Sequence, residues 1–253
     1  MPVVPSLRLE DVPIRILGIS GSPRRGSNSR YLLDCALEGV TEVGGVETEV
    51  LDFHGKKVLP CRGCEAYCRT RKECSQKDSF SEFCAAWLRA DAIVWSLPVY
   101  TLGPPSQVRA FMDRLGEVIF QRVRDKSTGH PYWNKVTGII VQGSSRFGNQ
   151  EIVIQAMLDH VVQMDCLPIA GDMPHNHLGV AGHVEWGERA EDQPELTQMC
   201  RQLGRRVGEM AKIIKAGTLA LQRVLPDQYF YSRTSLGDIQ RPPVLVQAGG
   251  GDR

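Results

Sequence analysis

The stretch Ile14–Leu33, IRILGISGSPRRGSNSRYLL, decides the fold. Ile14, Ile16, Leu17 and Ile19 form the short apolar run expected of a buried parallel strand. Ser20-Gly21-Ser22-Pro23 ends that run in a sharp turn, and Ser27-Asn28-Ser29 supplies N-cap chemistry. Tyr31, Leu32, Cys35, Ala36 and Val40 then recur at helical spacing. The reading is strand, hydroxyl-rich loop, helix. The loop gathers Ser20, Ser22, Ser27, Asn28 and Ser29 beside free backbone N–H groups at a helix start, where the donors and the helix dipole both favour an anion. The chain has neither the P-loop pattern G-x-x-x-x-G-K-[ST] nor the dinucleotide fingerprint G-x-G-x-x-G, which argues against a nucleoside triphosphatase and a dinucleotide fold. Hydroxyls stand where those motifs have glycines, and hydroxyls can wrap a terminal phosphate monoester from several sides.

Downstream of this unit the same alternation continues. Val46–Phe53 reads as a second strand, and 54–79 as a long connection carrying four cysteines. Phe80–Leu88 is a helix, Ala92–Leu97 a third strand, Gln107–Phe120 a helix and Val136–Val141 a fourth strand. Asn149–Met164 is helical, Cys166–Ala170 is a short fifth strand, and a helix spans about Pro194–Lys215. Strands alternating with helices predict an α/β fold, a doubly wound five-stranded parallel sheet in the order 2-1-3-4-5, with its ligand at the carboxyl ends of the strands. Residues 1–12 read as an N-terminal arm, 13–217 as one domain containing the cysteine-rich loop 54–79, and 218–253 as a C-terminal extension. In the extension Tyr229-Phe230-Tyr231 and Val244-Leu245-Val246 are apolar enough to pack.

Composition narrows the function classes. The 253 residues are 42% hydrophobic and 23% charged, with a formal net charge of +1, which gives no global attraction to nucleic acid or to a membrane surface. No apolar run is long enough to span a bilayer, and the N-terminus lacks a signal-peptide pattern. The expected location is the cytoplasm, where eight cysteines need an explanation other than structural disulfides.

Gly21-Ser22-Pro23-Arg24 followed by Ser27-Asn28-Ser29 resembles the first loop of the flavodoxin-like NADPH-dependent FMN reductase and iron–sulfur flavoprotein families, over about residues 13–175. The resemblance implies that this loop holds the FMN phosphate. It also implies that Pro98-Val99-Tyr100, with Thr101 and Leu102, passes beside the flavin ring. A third loop, Gly143-Ser144-Ser145-Arg146-Phe147-Gly148, departs from the family's glycine pair but keeps Gly143, Ser144, Ser145 and Gly148 as candidate contacts. No side chain need act as general acid or base, because the flavin carries the chemistry. Asp113-Arg114 matches a family motif and reads as a surface or interface ion pair. The resemblance further implies a homodimer or homotetramer.

Cys61-x2-Cys64-x3-Cys68-x5-Cys74 places four thiols in one loop. Zinc favours two separated Cys-x2-Cys pairs, whereas a compact run of four resembles [4Fe–4S] ligation. Iron–sulfur flavoproteins carry such a run in the same place, with two residues between the second and third cysteines; this chain has three, Glu65-Ala66-Tyr67. A cluster, zinc and no metal all remain open. Arg62, Arg69, Arg71 and Lys72 make the loop basic, which suits an anionic cluster or an acidic electron donor such as ferredoxin. Cys35, Cys84, Cys166 and Cys200 fall at apolar positions and read as core. His175, His177 and His183 have a spacing that can bind metal, but they read as loop histidines near the flavin edge. His130-Pro131-Tyr132-Trp133 reads either as a subunit contact or as a small satellite cluster, and Arg122, Arg124 and Lys126 as a solvated charged loop.

The sequence therefore predicts an FMN-dependent oxidoreductase of the iron–sulfur flavoprotein type. It would pass electrons from NAD(P)H or ferredoxin through flavin to a small-molecule acceptor. The alternatives are a cluster-free NAD(P)H:FMN or quinone reductase, a non-catalytic flavin electron carrier, and a zinc-stabilised scaffold.

Overall fold

A computed structural model describes residues 12–123, 134–171 and 176–221. Strands are β1 (Ile14–Ser20), β2 (Val46–Asp52), β3 (Ala92–Pro98), β4 (Val136–Gly143), β5 (Leu167–Pro168) and β6 (Val180–His183). Helices are α1 (Asn28–Thr41), α2 (Glu65–Arg71), α3 (Phe80–Arg89), α4 (Ser106–Val123), α5 (Gln150–Gln163) and α6 (Pro194–Leu221). Every strand pair is parallel, in the order β2-β1-β3-β4-β5, as the sequence predicts, and the fold is flavodoxin-like. A further strand, β6, pairs with the second half of β4 (Ile140–Gly143), while β5 pairs with its start (Val136–Thr137). The two short strands share one edge position. Val180-Ala181-Gly182-His183 has too few apolar residues to read as a strand, so the sequence placed it in a loop.

Burial on both faces explains why β1, β3 and β4 are almost continuously apolar. Alternate residues serve opposite cores. Leu17, Ile19, Ile93, Trp95, Leu97, Ile139 and Val141 pack with α3, α4 and α5, whereas Ile14, Ile16, Ala92, Val94, Val136 and Ile140 pack with α1 and α6. β2 is an edge, and its outward charges are paired: Glu47 with Arg15 at 2.9 Å and Glu49 with Arg89 at 2.9 Å. α1 and α6 cross with their backbones in contact. A Cβ on Gly39 would lie 2.0 Å from the Arg201 carbonyl oxygen, and one on Gly204 1.8 Å from that of Ala36, so only glycine fits at either position.

Three differences from the expected elements are informative. α2 forms inside the cysteine connection, closed by Lys72 in the left-handed region (φ 59°), whose N–H donates to Cys68 O at 2.8 Å. α6 runs to Leu221, past the expected boundary at 217. Lys135 is fully buried and caps α3, its Nζ donating to Leu88 O at 3.3 Å and to Ala90 O, with the Trp87 ring 5.0 Å away. The expected arm (bar Val12), residues 124–133 of an insertion expected over 121–135, His175 and residues 222–253 lie outside the described residues.

Candidate functional site

Parallel pairing brings the carboxyl ends of β1, β3, β4 and β6 to one edge. The segments that leave them enclose a cleft of about 620 Å³, a volume typical of small-molecule and cofactor sites. It lies beside the β1/β3 boundary, where this strand order reverses direction and ligands bind.

The loop after β1 forms one wall. Ser27 is the N-cap of α1, its Oγ accepting from Arg30 N at 3.2 Å. Ser22 Oγ accepts from Arg24 N at 3.2 Å, which folds the turn back on itself. The first-turn N–H groups of α1 that lack intrahelical acceptors face this end of the cleft, with Arg24 and Arg25 adding positive charge. Pro23 lies just outside the lining, its carbonyl 3.1 Å from His54 Nδ1.

The second wall follows β3. Tyr100 N donates to Gly103 O at 2.8 Å and Gly103 N to Tyr100 O at 3.0 Å, closing a two-residue turn. Its central residues, Thr101 and Leu102, both have positive φ (47° and 61°). That is the signature of a type I′ turn, which favours Asn or Gly; a β-branched threonine there is strained. Leu102 is 60% exposed and stands off the lining. Its carbonyl accepts from Asn149 Nδ2 at 3.4 Å, which ties this turn to the start of α5.

Ten of the sixteen sequence-predicted cofactor residues line the cleft: Ser22, Arg24, Ser27, Asn28, Pro98, Val99, Tyr100, Thr101, Gly143 and Ser144. Pro23, Leu102, Ser145 and Gly148 do not, and neither do Ser20 and Ser29, which point into the protein. Ser29 O accepts from Ser96 Oγ at 2.7 Å, and the buried Ser20 Oγ has no partner among the described residues. The end of β1 turns Ser20 inward and the buried face of α1 turns Ser29 inward, which their position in a serine-rich stretch does not reveal.

A further wall, Val184–Glu188, was not anticipated. Trp186 is 81% exposed on it, with the Arg24 guanidinium 5.4 Å from its ring centroid. Asn28 fastens this wall to the phosphate-type loop, its Nδ2 donating to Glu188 O at 3.4 Å and its Oδ1 accepting from Ala190 N at 3.1 Å. Gln142, Arg25 and Gly26 also line the cleft. The missing signal was β6: once it is recognised as a strand, the residues after it fall at the carboxyl edge. His183 ends β6, half-buried, and His177 is exposed.

The cysteine loop leaves β2 at the same edge. Cys64 and Cys68 stand one turn apart, at the N-cap and within α2, and their thiols are hydrogen-bonded. A hydrogen bond with Ser75 Oγ (3.2 Å) is the main cause that lowers the Cys64 pKa. Burial, and then the neighbouring thiols Cys64, Cys74 and Cys61, push Cys68 up to about 11. Cys61 is exposed, at the rim of a groove between α4 and α5 of about 740 Å³. The donor set, four thiols acting on one another, has the chemistry of a thiolate-ligated centre. As arranged, however, no three His, Cys, Asp or Glu side chains among the described residues are placed to hold one ion. Cys35, Cys84, Cys166 and Cys200 are buried in the core. Burial also pushes Cys166 up to about 12, with Cys200 raised as well.

Arg114 corrects the expectation of a surface pair. Its side chain is 1% exposed and pairs with Asp78, 2% exposed, at 2.7 Å, while Asp113 pairs with Arg109 at 3.0 Å on the surface of α4. Asp78 also accepts from Leu59 N at 2.9 Å and Phe80 N at 3.2 Å. Burial would raise the Asp78 pKa, but Arg114 and these two N–H groups together hold it below its ordinary value.

The family model described as NADPH-dependent FMN reductase matches residues 14–174. An iron–sulfur flavoprotein of Methanocaldococcus jannaschii is 31% identical over 202 residues, covering 80% of this chain and all of the relative. One of Methanosarcina thermophila is 33% identical over 179 residues, covering 71% of this chain and 86% of that one. Among solved structures, the NAD(P)H:quinone oxidoreductase from Methanothermobacter marburgensis superposes with a TM-score of 0.57 at 16% identity, covering 77% of this chain and 97% of that one, a likeness of fold. No described helix is long and apolar enough to cross a membrane.

Proposed function

The chain belongs to the NADPH-dependent FMN reductase family, whose members are FMN-dependent oxidoreductases, and from that premise we propose that it is an oxidoreductase of the iron–sulfur flavoprotein type. One observation carries the reading: a cofactor-sized cleft at the carboxyl edge of the sheet ends on the N-terminus of α1. That end suits a phosphate monoester, with Ser22, Arg24, Ser27 and Asn28 as its partners. The apolar segment Pro98–Tyr100 and the small residues Gly143 and Ser144 leave room for a flat ring system beside β3 and β4. FMN, when bound, supplies hydride and single-electron transfer; the protein's part is to position the ring, exclude water and set its potential.

The cysteine loop is proposed to hold a [4Fe–4S] cluster on Cys61, Cys64, Cys68 and Cys74. The names of the relatives and the four-thiol donor set support this. Such a centre would divide two-electron flavin chemistry into single-electron steps. The donor is proposed to be NAD(P)H or ferredoxin, the acceptor a small molecule, the assembly a homodimer or homotetramer, and the location the cytoplasm.

The test is anaerobic purification with FMN, iron, acid-labile sulfide and zinc quantified on one sample, followed by NADH and NADPH oxidation assays. One FMN with about four irons and four sulfides per chain is the expected result. FMN without iron, together with NAD(P)H turnover, would transfer the reading to a cluster-free FMN or quinone reductase. A colourless protein with zinc and no FMN uptake would overturn it.

A further inference from the structure

Arg114 presents a half-filled donor edge to the cysteine loop. Its Nη1 donates to Asp78 Oδ2 at 2.7 Å and to Leu59 O at 3.1 Å. Its Nη2 donates to Asp78 Oδ1 at 2.9 Å and to Cys74 Sγ at 3.1 Å. Its Nε is buried without a hydrogen-bond partner among the described residues. The Phe80 ring lies 4.3 Å from the guanidinium carbon.

A guanidinium is planar, with five N–H donors in a fixed fork. Asp78 occupies the outer edge formed by Nη1 and Nη2. The other Nη2–H and the Nε–H lie side by side on the adjacent edge, and the Cys74 sulfur sits against that edge. A neutral thiol is a weak acceptor and leaves Nε–H unmet, although leaving a buried donor of a charged group unsatisfied is costly. Two parallel charge-assisted donors make the edge suited to an anion. Asp78, on the neighbouring edge, holds the guanidinium in place. Arg62, Arg69 and Arg71 lie in the same loop but are exposed, so water screens them.

We propose that Arg114 is a positioning residue for the cysteine-loop centre, its Nε/Nη2 edge hydrogen-bonding the Cys74 sulfur and the anionic metal–sulfur group ligated there, and thereby raising that group's reduction potential. This rests on the cluster reading above. Hydrogen bonds to ligating sulfur and nearby positive charge are the means by which a protein raises such a potential. A purely structural latch between the loop and α4 would affect stability and leave the potential unmoved.

The experiment uses the full chain, reconstituted anaerobically with iron and sulfide. Parent, R114K and R114Q are titrated with redox dyes while the reduced cluster is followed by electron paramagnetic resonance, with iron and sulfide counted on each sample. R114Q is expected to bind the cluster with a reduced-to-oxidised ratio about tenfold lower at a fixed potential, a fall of about 59 mV for one electron. R114K, which keeps the charge but loses the fork, is expected to lie between the two. Should R114Q fail to fold, R114K carries the test, because it retains a cation opposite Asp78. Loaded variants with the parent's potential would overturn the proposal and leave the cluster reading intact. A parent protein without iron and sulfide would overturn both.

Discussion

Acidification to pH 5 should destabilise this protein through His160, and replacing that residue should remove the effect. His160 lies on α5, buried behind the groove between α4 and α5, with its Nε2 unpartnered among the described residues and its ring edge-on to Trp95 at 6.4 Å. Burial, helped by the nearby Arg109 cation, lowers its pKa from 6.5 to about 4. Between those two values the unfolded chain binds a proton that the native protein refuses, so stability falls as pH drops below 6.5 and the loss is complete near pH 4. With these two constants the fall from pH 7 to pH 5 comes to about 2 kcal/mol, a drop in Tm of about 4–8 °C for a chain of this size. Urea unfolding of the parent and of His160→Leu at both pH values isolates the contribution, because the carboxylates titrate alike in the two proteins. The variant should lose about 2 kcal/mol less than the parent on acidification. Equal losses would refute the reasoning, showing that the imidazole is protonated in the native state or is not buried.

Two further substitutions test the frame and the cleft. Gly204→Ala would place a Cβ 1.8 Å from the Ala36 carbonyl oxygen, so α1 and α6 must separate; a loss of about 3 kcal/mol or more is expected in urea unfolding, and a variant as stable as the parent would disprove the backbone contact. Asn28→Ala removes both hydrogen bonds that fasten the Val184–Glu188 wall to the phosphate-type loop. FMN affinity, measured by flavin fluorescence quenching, should weaken about tenfold; an unchanged Kd would mean the wall contributes nothing to the site.

The parts of the fold legible in the sequence were those in which local chemistry and tertiary role coincide. The β1 run, the serine-rich turn and the α1 periodicity point to one structure at three levels, and the sheet order follows from the alternation they begin. β6 was illegible because two of its four residues are glycine and histidine and its stability comes from pairing with β4, not from its own composition. α2 was hidden because a seven-residue helix is marginal on its own. Arg114 read as part of a surface or interface pair because a charge is usually solvated, and nothing in the sequence singled out Lys135; only the structure shows that Asp78 and the α3 carbonyls meet them in the interior. Ser20 and Ser29 show the converse, hydroxyls of the right type turned inward by the strand and helix that carry them.

The two candidate centres are joined by α4. The helix begins just after the Pro98–Thr101 wall of the cleft. Its Gln107 accepts from Val58 N at 3.2 Å at the start of the cysteine loop, and its Arg114 holds the end of that loop through Asp78 and Cys74. At the other side, His54, two residues past the end of β2, meets the Pro23 carbonyl of the loop after β1 at 3.1 Å. The cysteine loop is therefore pinned at its start to the loop after β1 and to α4, and at its end to α4 again. Any shift of α4 that reshapes the wall at Pro98 must also move the Cys74 sulfur. The Arg114–Asp78 pair, buried and bidentate, holds the end of the cysteine loop against α4.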